Sequence, residues 1–114
     1  MNSDLHRRAR LLGVDDQEAN LKIVGDILGR LGFDIVLASD GDQALGLLAQ
    51  RPVDLILLDV LMPGRDGFEI CRLIRVNPDW ADIPIIFLSA ADDKRLIVRA
   101  LEVGGVDYVT KPFH

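Results

Sequence analysis

The stretch from Asp54 to Gly67, D-L-I-L-L-D-V-L-M-P-G-R-D-G, decides how the chain is read. Four apolar residues, Leu55 to Leu58, end abruptly at Asp59, and a Pro/Gly-rich turn follows before a helical pattern resumes. A short apolar run bounded by turn signals reads as a strand buried on both faces. Asp59 therefore stands at the mouth of a buried strand. Ligands bind just beyond the carboxyl ends of strands in an open parallel sheet, so this is a position where chemistry is done; a strand-ending or helix-capping aspartate is the alternative.

Downstream, Asp66 and Glu69 form a D-x-x-E capping signal that opens a helix from about Gly67 to Val76. The loop Asn77 to Pro84 carries Trp80, read as a ring that packs the loop onto its own domain. Ile85 to Leu88 make a buried strand ending at Ser89-Ala90-Ala91. Asp92 or Asp93 caps a helix that runs to Val103, with Leu96, Ile97, Ala100 and Leu101 facing inward. Gly104-Gly105 stop it, and Val106 to Thr110 give a last strand before Lys111-Pro112-Phe113-His114.

Upstream, Leu11 to Val14 read as a first strand with Gly13 inside it, ended by Asp15 and Asp16. From Gln17 to Leu31 the residues Ile23, Val24, Ile27, Leu28 and Leu31 recur as one face of a helix, closed by Gly32. Phe33 to Ala38 supply another strand. Asp40 and Gln43 then form a capping box for a helix to about Arg51, ended by Pro52. Strict alternation of strand and helix predicts an α/β fold: a flavodoxin-like, doubly wound five-stranded parallel sheet of order 2-1-3-4-5, joined by right-handed crossovers.

The bulk properties narrow the function. At 114 residues the chain makes one domain, and 49% hydrophobic with 27% charged residues is a soluble globular balance. No apolar run approaches the ~20 residues of a membrane span and the N-terminus lacks a signal-peptide core, so the expected location is cytoplasmic. A net charge of -5 argues against a nucleic-acid surface. Arg7, Arg8 and Arg10 are read as a solvated tail spanning residues 1–10. The single cysteine, Cys71, excludes an internal disulfide and reads as a buried structural thiol.

Parallel pairing puts Asp15, Asp16, Asp59, Ser89 and Lys111 at one rim of the sheet, all at strand ends. Three carboxylates there need a compensating cation, and oxygen-only donors favour a hard ion, Mg²⁺ before Ca²⁺. With Lys111 as a second positive charge and Ser89 as a donor, the set suits attack of Asp59 on phosphorus, a transfer that relies on positioning and charge neutralisation. Each residue also has a structural reading: Asp15 as a cap with Glu18, Ser89 as a strand end, Lys111 as a solvated cation.

These motifs resemble the receiver domain of two-component response regulators over about Leu11 to Phe113: V-D-D at 14–16, L-D-V-L-M-P-G-R-D-G at 58–67, L-S-A at 88–90 and D-Y-V-T-K-P-F at 107–113. The resemblance implies that Asp59 takes a phosphoryl group from a histidine kinase or phosphotransfer protein. It implies that Asp15, Asp16, Asp59 and the carbonyl of Leu61 hold Mg²⁺, that Lys111 pairs with the phosphoryl group ahead of a cis bond to Pro112, and that Ser89 and Tyr108 switch. It also implies no catalysis beyond the domain's own phosphoryl transfer and dephosphorylation. An output or kinase domain on a longer parent chain is the expected recipient, with a homodimer among the assemblies open to it.

Three positions depart from the family pattern. Gly13 replaces a bulky aliphatic, Arg65 stands where Met is frequent, and the helix expected after K-P-F is not in the sequence. The expectation is a C-terminally truncated receiver over residues 11–114, with an apolar face partly bare near the first and fifth strands. Competing readings are an aspartate-nucleophile phosphatase of the haloacid-dehalogenase type, which looks for D-x-D where this chain has Leu61 two residues after Asp59; a flavin carrier, whose phosphate loop Asp15 and Asp16 would repel; and an unphosphorylated interaction module.

Overall fold

Strands linked by helices return to the same edge of the sheet, so consecutive apolar runs can pair only in parallel. The computed structural model describes residues 8–62, 64, 66–89 and 94–110. In it β1 (Arg10–Val14), β2 (Asp34–Ala38), β3 (Leu55–Asp59), β4 (Ile85–Ser89) and β5 (Asp107–Thr110) alternate with α1 (Glu18–Arg30), α2 (Gly41–Gln50), α3 (Gly67–Arg75) and α4 (Lys94–Glu102). The sheet is parallel with order β2-β1-β3-β4-β5, the predicted order.

Side chains alternate across a strand, which sorts the core by face. Leu12, Val14, Ile56, Leu58, Ile85 and Phe87 point to one side, where they cluster with Ala44 and Leu48 of α2, with Phe68, Ile70, Cys71 and Ile74 of α3, and with Ala100 of α4. Phe68 and Phe87 anchor this layer with ring centroids 5.2 Å apart, and the guanidinium of Arg99 lies 4.6 Å from the Phe68 ring centre. On the other side α1 crosses β1 and β2. A Cβ at Gly13 would lie 3.3 Å from Leu37 Cδ2 and 3.7 Å from Val24 Cγ1, so these two side chains fill the space a branched residue would take. Trp80 is half-buried against the core, as expected of a loop anchor. It also lines a cleft of about 600 Å³ with Leu48, Pro52, Val53 and Ile83, at the sheet edge opposite Asp59.

Two helical faces differ from the reading of the sequence. Along α1 only Val24 is buried and Leu21 and Leu28 are half-buried, whereas Ile23 and Ile27 are exposed and Leu31 is 67% exposed. A helix lying over two strands covers one line of residues, here i, i+3 and i+7, and the second apolar line falls about 100° round the helix. In α4, Ala100 is buried and Leu96 and Ile97 are half-buried, but Leu101 is exposed: the short helix lies at the β5 end of the sheet and turns only the Ala100 line inward.

The N-terminal tail also ends earlier than expected. Arg10 belongs to β1: its Nε donates to Asp34 Oδ2 at 2.9 Å, its Nη1 to the Pro52 carbonyl at 3.3 Å, and its N–H to Asp54 Oδ2 at 2.7 Å. Arg7, Pro63, Arg65, Ala90, Ala91, Asp92, Asp93, Lys111 and Pro112, all invoked above, lie outside the described residues.

Arg75, at the end of α3, fastens segments far apart in sequence. Its Nη1 donates to the carbonyls of Ala81 (3.1 Å) and Ile83 (2.8 Å), and its Nε and Nη2 donate to the carbonyl of Gly104 (3.1 and 2.7 Å). Gly104 sits at φ +110°, and a Cβ there would lie 2.8 Å from Arg75 Nε, so both backbone conformation and space demand glycine. Replacing Arg75 by Ala leaves three partly buried carbonyls without this donor. Urea denaturation should show a loss of about 2–4 kcal/mol.

Cys71 is fully buried, and its Sγ donates to the Val103 carbonyl at 3.4 Å. Burial pushes its pKa up, with Arg75 and then Arg72 pulling the other way. The folded chain therefore keeps a thiol proton that the unfolded chain gives up above about pH 8.5. Stability should fall as pH rises past that value in wild type and should fall less steeply in Cys71→Ala. Thiol reagents at neutral pH should label Cys71 only through unfolding, which a labelling time course in increasing urea would show.

Candidate functional site

The site follows from the central ladder. Val14 pairs with Leu58 across β1 and β3, so the next residue of each strand, Asp15 and Asp59, leaves the sheet at the same level. Both side chains are buried, each about 2% exposed, while Asp16 is exposed. Asp15, Asp16 and Asp59 each offer a carboxylate oxygen, and the three oxygens lie within 4.8 Å of one another. The structure thus brings together the three acidic residues predicted from sequence.

Local hydrogen bonds hold these positions. The Asp15 N–H donates to the Ala38 carbonyl at 3.1 Å, and Asp15 Oδ1 accepts from the Gln17 N–H at 2.9 Å, an Asx turn that leads into α1. Asp15 is therefore no cap for Glu18; the N-cap position belongs to Gln17, whose side chain makes no capping bond. After Asp59 the chain stays pinned, with the Val60 N–H donating to the Leu88 carbonyl and the Gly67 N–H to the Val60 carbonyl, both at 2.9 Å.

The nearby aspartates that do cap are the ones the spacing indicated. Asp66 accepts from the Glu69 N–H at 2.9 Å, and Asp40 accepts from the Gln43 N–H at 2.7 Å. Gln43 Oε1 in turn accepts from the Ser39 N–H at 2.6 Å, one residue earlier than a standard capping box places it.

Ser89 is 1% exposed at the end of β4; since Asp59 pairs with Leu88, it stands one residue further along the adjacent strand. Tyr108 is half-buried on β5, in register with Phe87 and two residues short of the strand end. Leu61 is 61% exposed, two residues after Asp59 at the mouth of the site. Lys111, like Ala90 beside Ser89, lies outside the described residues.

Two buried carboxylates with an oxygen of a third within 4.8 Å repel one another in a medium that screens poorly, a repulsion that a cation among them relieves. The donor set is all oxygen, which suits a hard divalent ion such as Mg²⁺. A carboxylate held this way, with a buried hydroxyl on the next strand, is equipped to accept a phosphoryl group. Gly67, visible in the sequence as a helix start and as the end of the 58–67 motif, packs its Cα against the backbone of Asp59 and Val60, where a Cβ would collide; the D-G pair that closes the turn is the signal of this close approach in the sequence.

Comparison with known proteins agrees with this arrangement. The response regulator receiver domain family matches residues 11–114. A probable transcriptional regulator, ycf27 of Guillardia theta, is 40% identical over 113 residues, which are 99% of this chain and 43% of that protein. Response regulator PleD of Caulobacter vibrioides is 40% identical over 104 residues, 91% of this chain and 23% of PleD. The chain thus spans less than half the length of these curated relatives.

Among solved structures, the chemotaxis protein CheY4 of Vibrio cholerae aligns with a TM-score of 0.91 at 29% identity, covering 95% of this chain and 90% of that one. The signal receiver domain of a signal transduction histidine kinase from Syntrophus aciditrophicus aligns with a TM-score of 0.83 at 36% identity, covering 93% and 80%. Neither a dehalogenase-type phosphatase nor a flavin carrier is favoured by these matches. A family match that begins at the first strand, on a sheet that superposes on solved receivers, shows that this chain belongs to the receiver domains of two-component response regulators.

Proposed function

We propose that Asp59 is the phosphoryl acceptor, and that a histidine kinase or a phosphotransfer protein is the donor. The observation that carries this reading is the buried Asp59 carboxylate at the end of a central strand, with oxygens of Asp15 and Asp16 within 4.8 Å. A carboxylate oxygen of Asp59 attacks phosphorus, the P–N bond to the donor imidazole breaks, and the imidazole leaves with the electron pair of that bond and takes up a proton from water. Asp15, Asp16, Asp59 and the carbonyl of Leu61 are the proposed holders of Mg²⁺, which when bound neutralises charge on the transferring oxygens. Lys111 is the proposed partner of the phosphoryl group.

The new group adds about -1.5 to -2 charge and three acceptor oxygens beside Ser89. Ser89 and Tyr108 are the proposed switch: the hydroxyl turns toward the phosphoryl oxygens and the ring follows into the space behind, altering the surface of α4 and β5. The recipient of the signal is an output or kinase domain on a longer chain, a reading supported by the small share of ycf27 and PleD that this chain spans and by the receiver from the Syntrophus kinase. The domain catalyses its own phosphoryl transfer and dephosphorylation and no other turnover. It acts in the cytoplasm, as a monomer or a homodimer; among the described residues no helix is long and apolar enough to cross a membrane.

Incubation with acetyl phosphate and Mg²⁺ should add one phosphoryl mass to wild type and none to Asp59→Asn, read by intact mass spectrometry. Sustained turnover of a phosphate ester, or labelling that survives Asp59→Asn, would sink the reading. Asp15→Asn should weaken Mg²⁺ binding about tenfold or more, equivalent to about 1.4 kcal/mol, measured by titration calorimetry. Ser89→Ala should still be phosphorylated, but the shift of the Tyr108 resonances that accompanies phosphorylation in wild type should be lost.

A further inference from the structure

We infer that Gly67 is a positioning residue for phosphoryl transfer, acting through the backbone of Asp59 by the absence of a side chain; the inference rests on the assignment of Asp59 as acceptor. A Cβ built at Gly67 would fall 2.2 Å from the carbonyl oxygen of Asp59, 3.0 Å from its carbonyl carbon and 3.0 Å from Val60 Cα. All three obstacles are backbone atoms of the acceptor segment, which cannot swing aside as a side-chain tip can. The φ of Gly67 is not positive, so space alone, and no special backbone conformation, reserves the position for glycine.

The contact matters because the rest of that segment is already fixed. Asp59 pairs with Leu88, the Val60 N–H donates to the Leu88 carbonyl, and the Val60 carbonyl accepts from Gly67 itself at 2.9 Å. The first turn of α3 is held from behind as well, since Phe68 is buried between the ring of Phe87 and the guanidinium of Arg99. Asp59 is thus clamped between β4 and the start of α3. A methyl group at Gly67 forces a movement of about 1 Å, either of α3 away from the sheet or of the Asp59 carbonyl. A displacement of that size at a reacting group costs up to about a hundredfold in rate.

A packing defect alone would lower stability and leave the chemistry of the folded molecules intact, and the experiment separates the two. Gly104 supplies the control: at φ +110° a Cβ is strained there and would meet Arg75 Nε at 2.8 Å, at the far end of α3 from Asp59. Phosphorylation by acetyl phosphate is followed at saturating Mg²⁺, at a temperature where each protein is folded by circular dichroism. Gly67→Ala should lose about ten- to a hundredfold in the rate constant for phosphorylation. Gly104→Ala should melt at a lower temperature with its rate constant within twofold of wild type.

Equal rate constants for Gly67→Ala and wild type overturn the inference, as does an equal loss in Gly104→Ala. Failure of wild type to be phosphorylated on Asp59 overturns instead the acceptor assignment beneath it. A measurement on wild type covers the case in which Gly67→Ala does not fold. Binding of beryllium fluoride with Mg²⁺ should slow hydrogen exchange of the Gly67 N–H severalfold more than that of the Arg51 N–H, which closes α2 far from the site by donating to the Leu47 carbonyl. Exchange at Gly67 that is unchanged on binding overturns the inference.

Discussion

The contact on which the rest of this molecule depends is the parallel ladder between β1 and β3. The winding of the chain reverses there: β2 lies outside β1 on one side, and β4 and β5 follow β3 on the other. Every parallel sheet of this type opens a crevice at such a point, because the connections on the two sides turn away from each other. Val14 opposite Leu58 fixes the register, and one residue later the two strands release Asp15 and Asp59 together. A slip of one residue in this pairing would exchange the faces of β3 and separate the two carboxylates.

The apolar layers around the ladder give the site its electrostatic character. Asp15 and Asp59 are each about 2% exposed and Val60, next after Asp59, is fully buried, so little water screens these two carboxylates. Charge placed there is felt more strongly than on the surface, for a cation and an anion alike. Ser89, 1% exposed on the neighbouring strand, shares this dry surrounding, so little solvent competes for its hydroxyl.

Much of this was legible in the sequence, for physical reasons that can be named. Buried parallel strands read as apolar runs with abrupt polar ends, so β3 and β4 declared both their location and their orientation. The order of the sheet followed from alternation and handedness. Asp40 and Asp66 could be recognised as caps because capping is local, spanning three residues. The outward line of α1 was not legible, because periodicity shows that a helix has an apolar side but not how wide a surface it meets; Ile23, Ile27 and Leu31 look the same in sequence as Leu21, Val24 and Leu28. The role of Arg10 in β1 was missed because its partners Asp34 and Asp54 are remote in sequence. Arg75 was silent for the same reason: its acceptors are backbone carbonyls, which carry no residue signature.

The ladder also has a bearing on how the chain reaches its folded form. Asp15 and Asp59 are 44 residues apart, and α1, β2 and α2 lie between β1 and β3 in the chain. Contacts this distant form late, because the entropy of closing the intervening loop is lost before the pairing returns anything. A nascent or partly opened chain can hold α1 against β2 and still have no acceptor pocket at all. The three carboxylates therefore come together only when the centre of the sheet closes, so a chain in which β1 and β3 have not met has secondary structure but no acidic cluster.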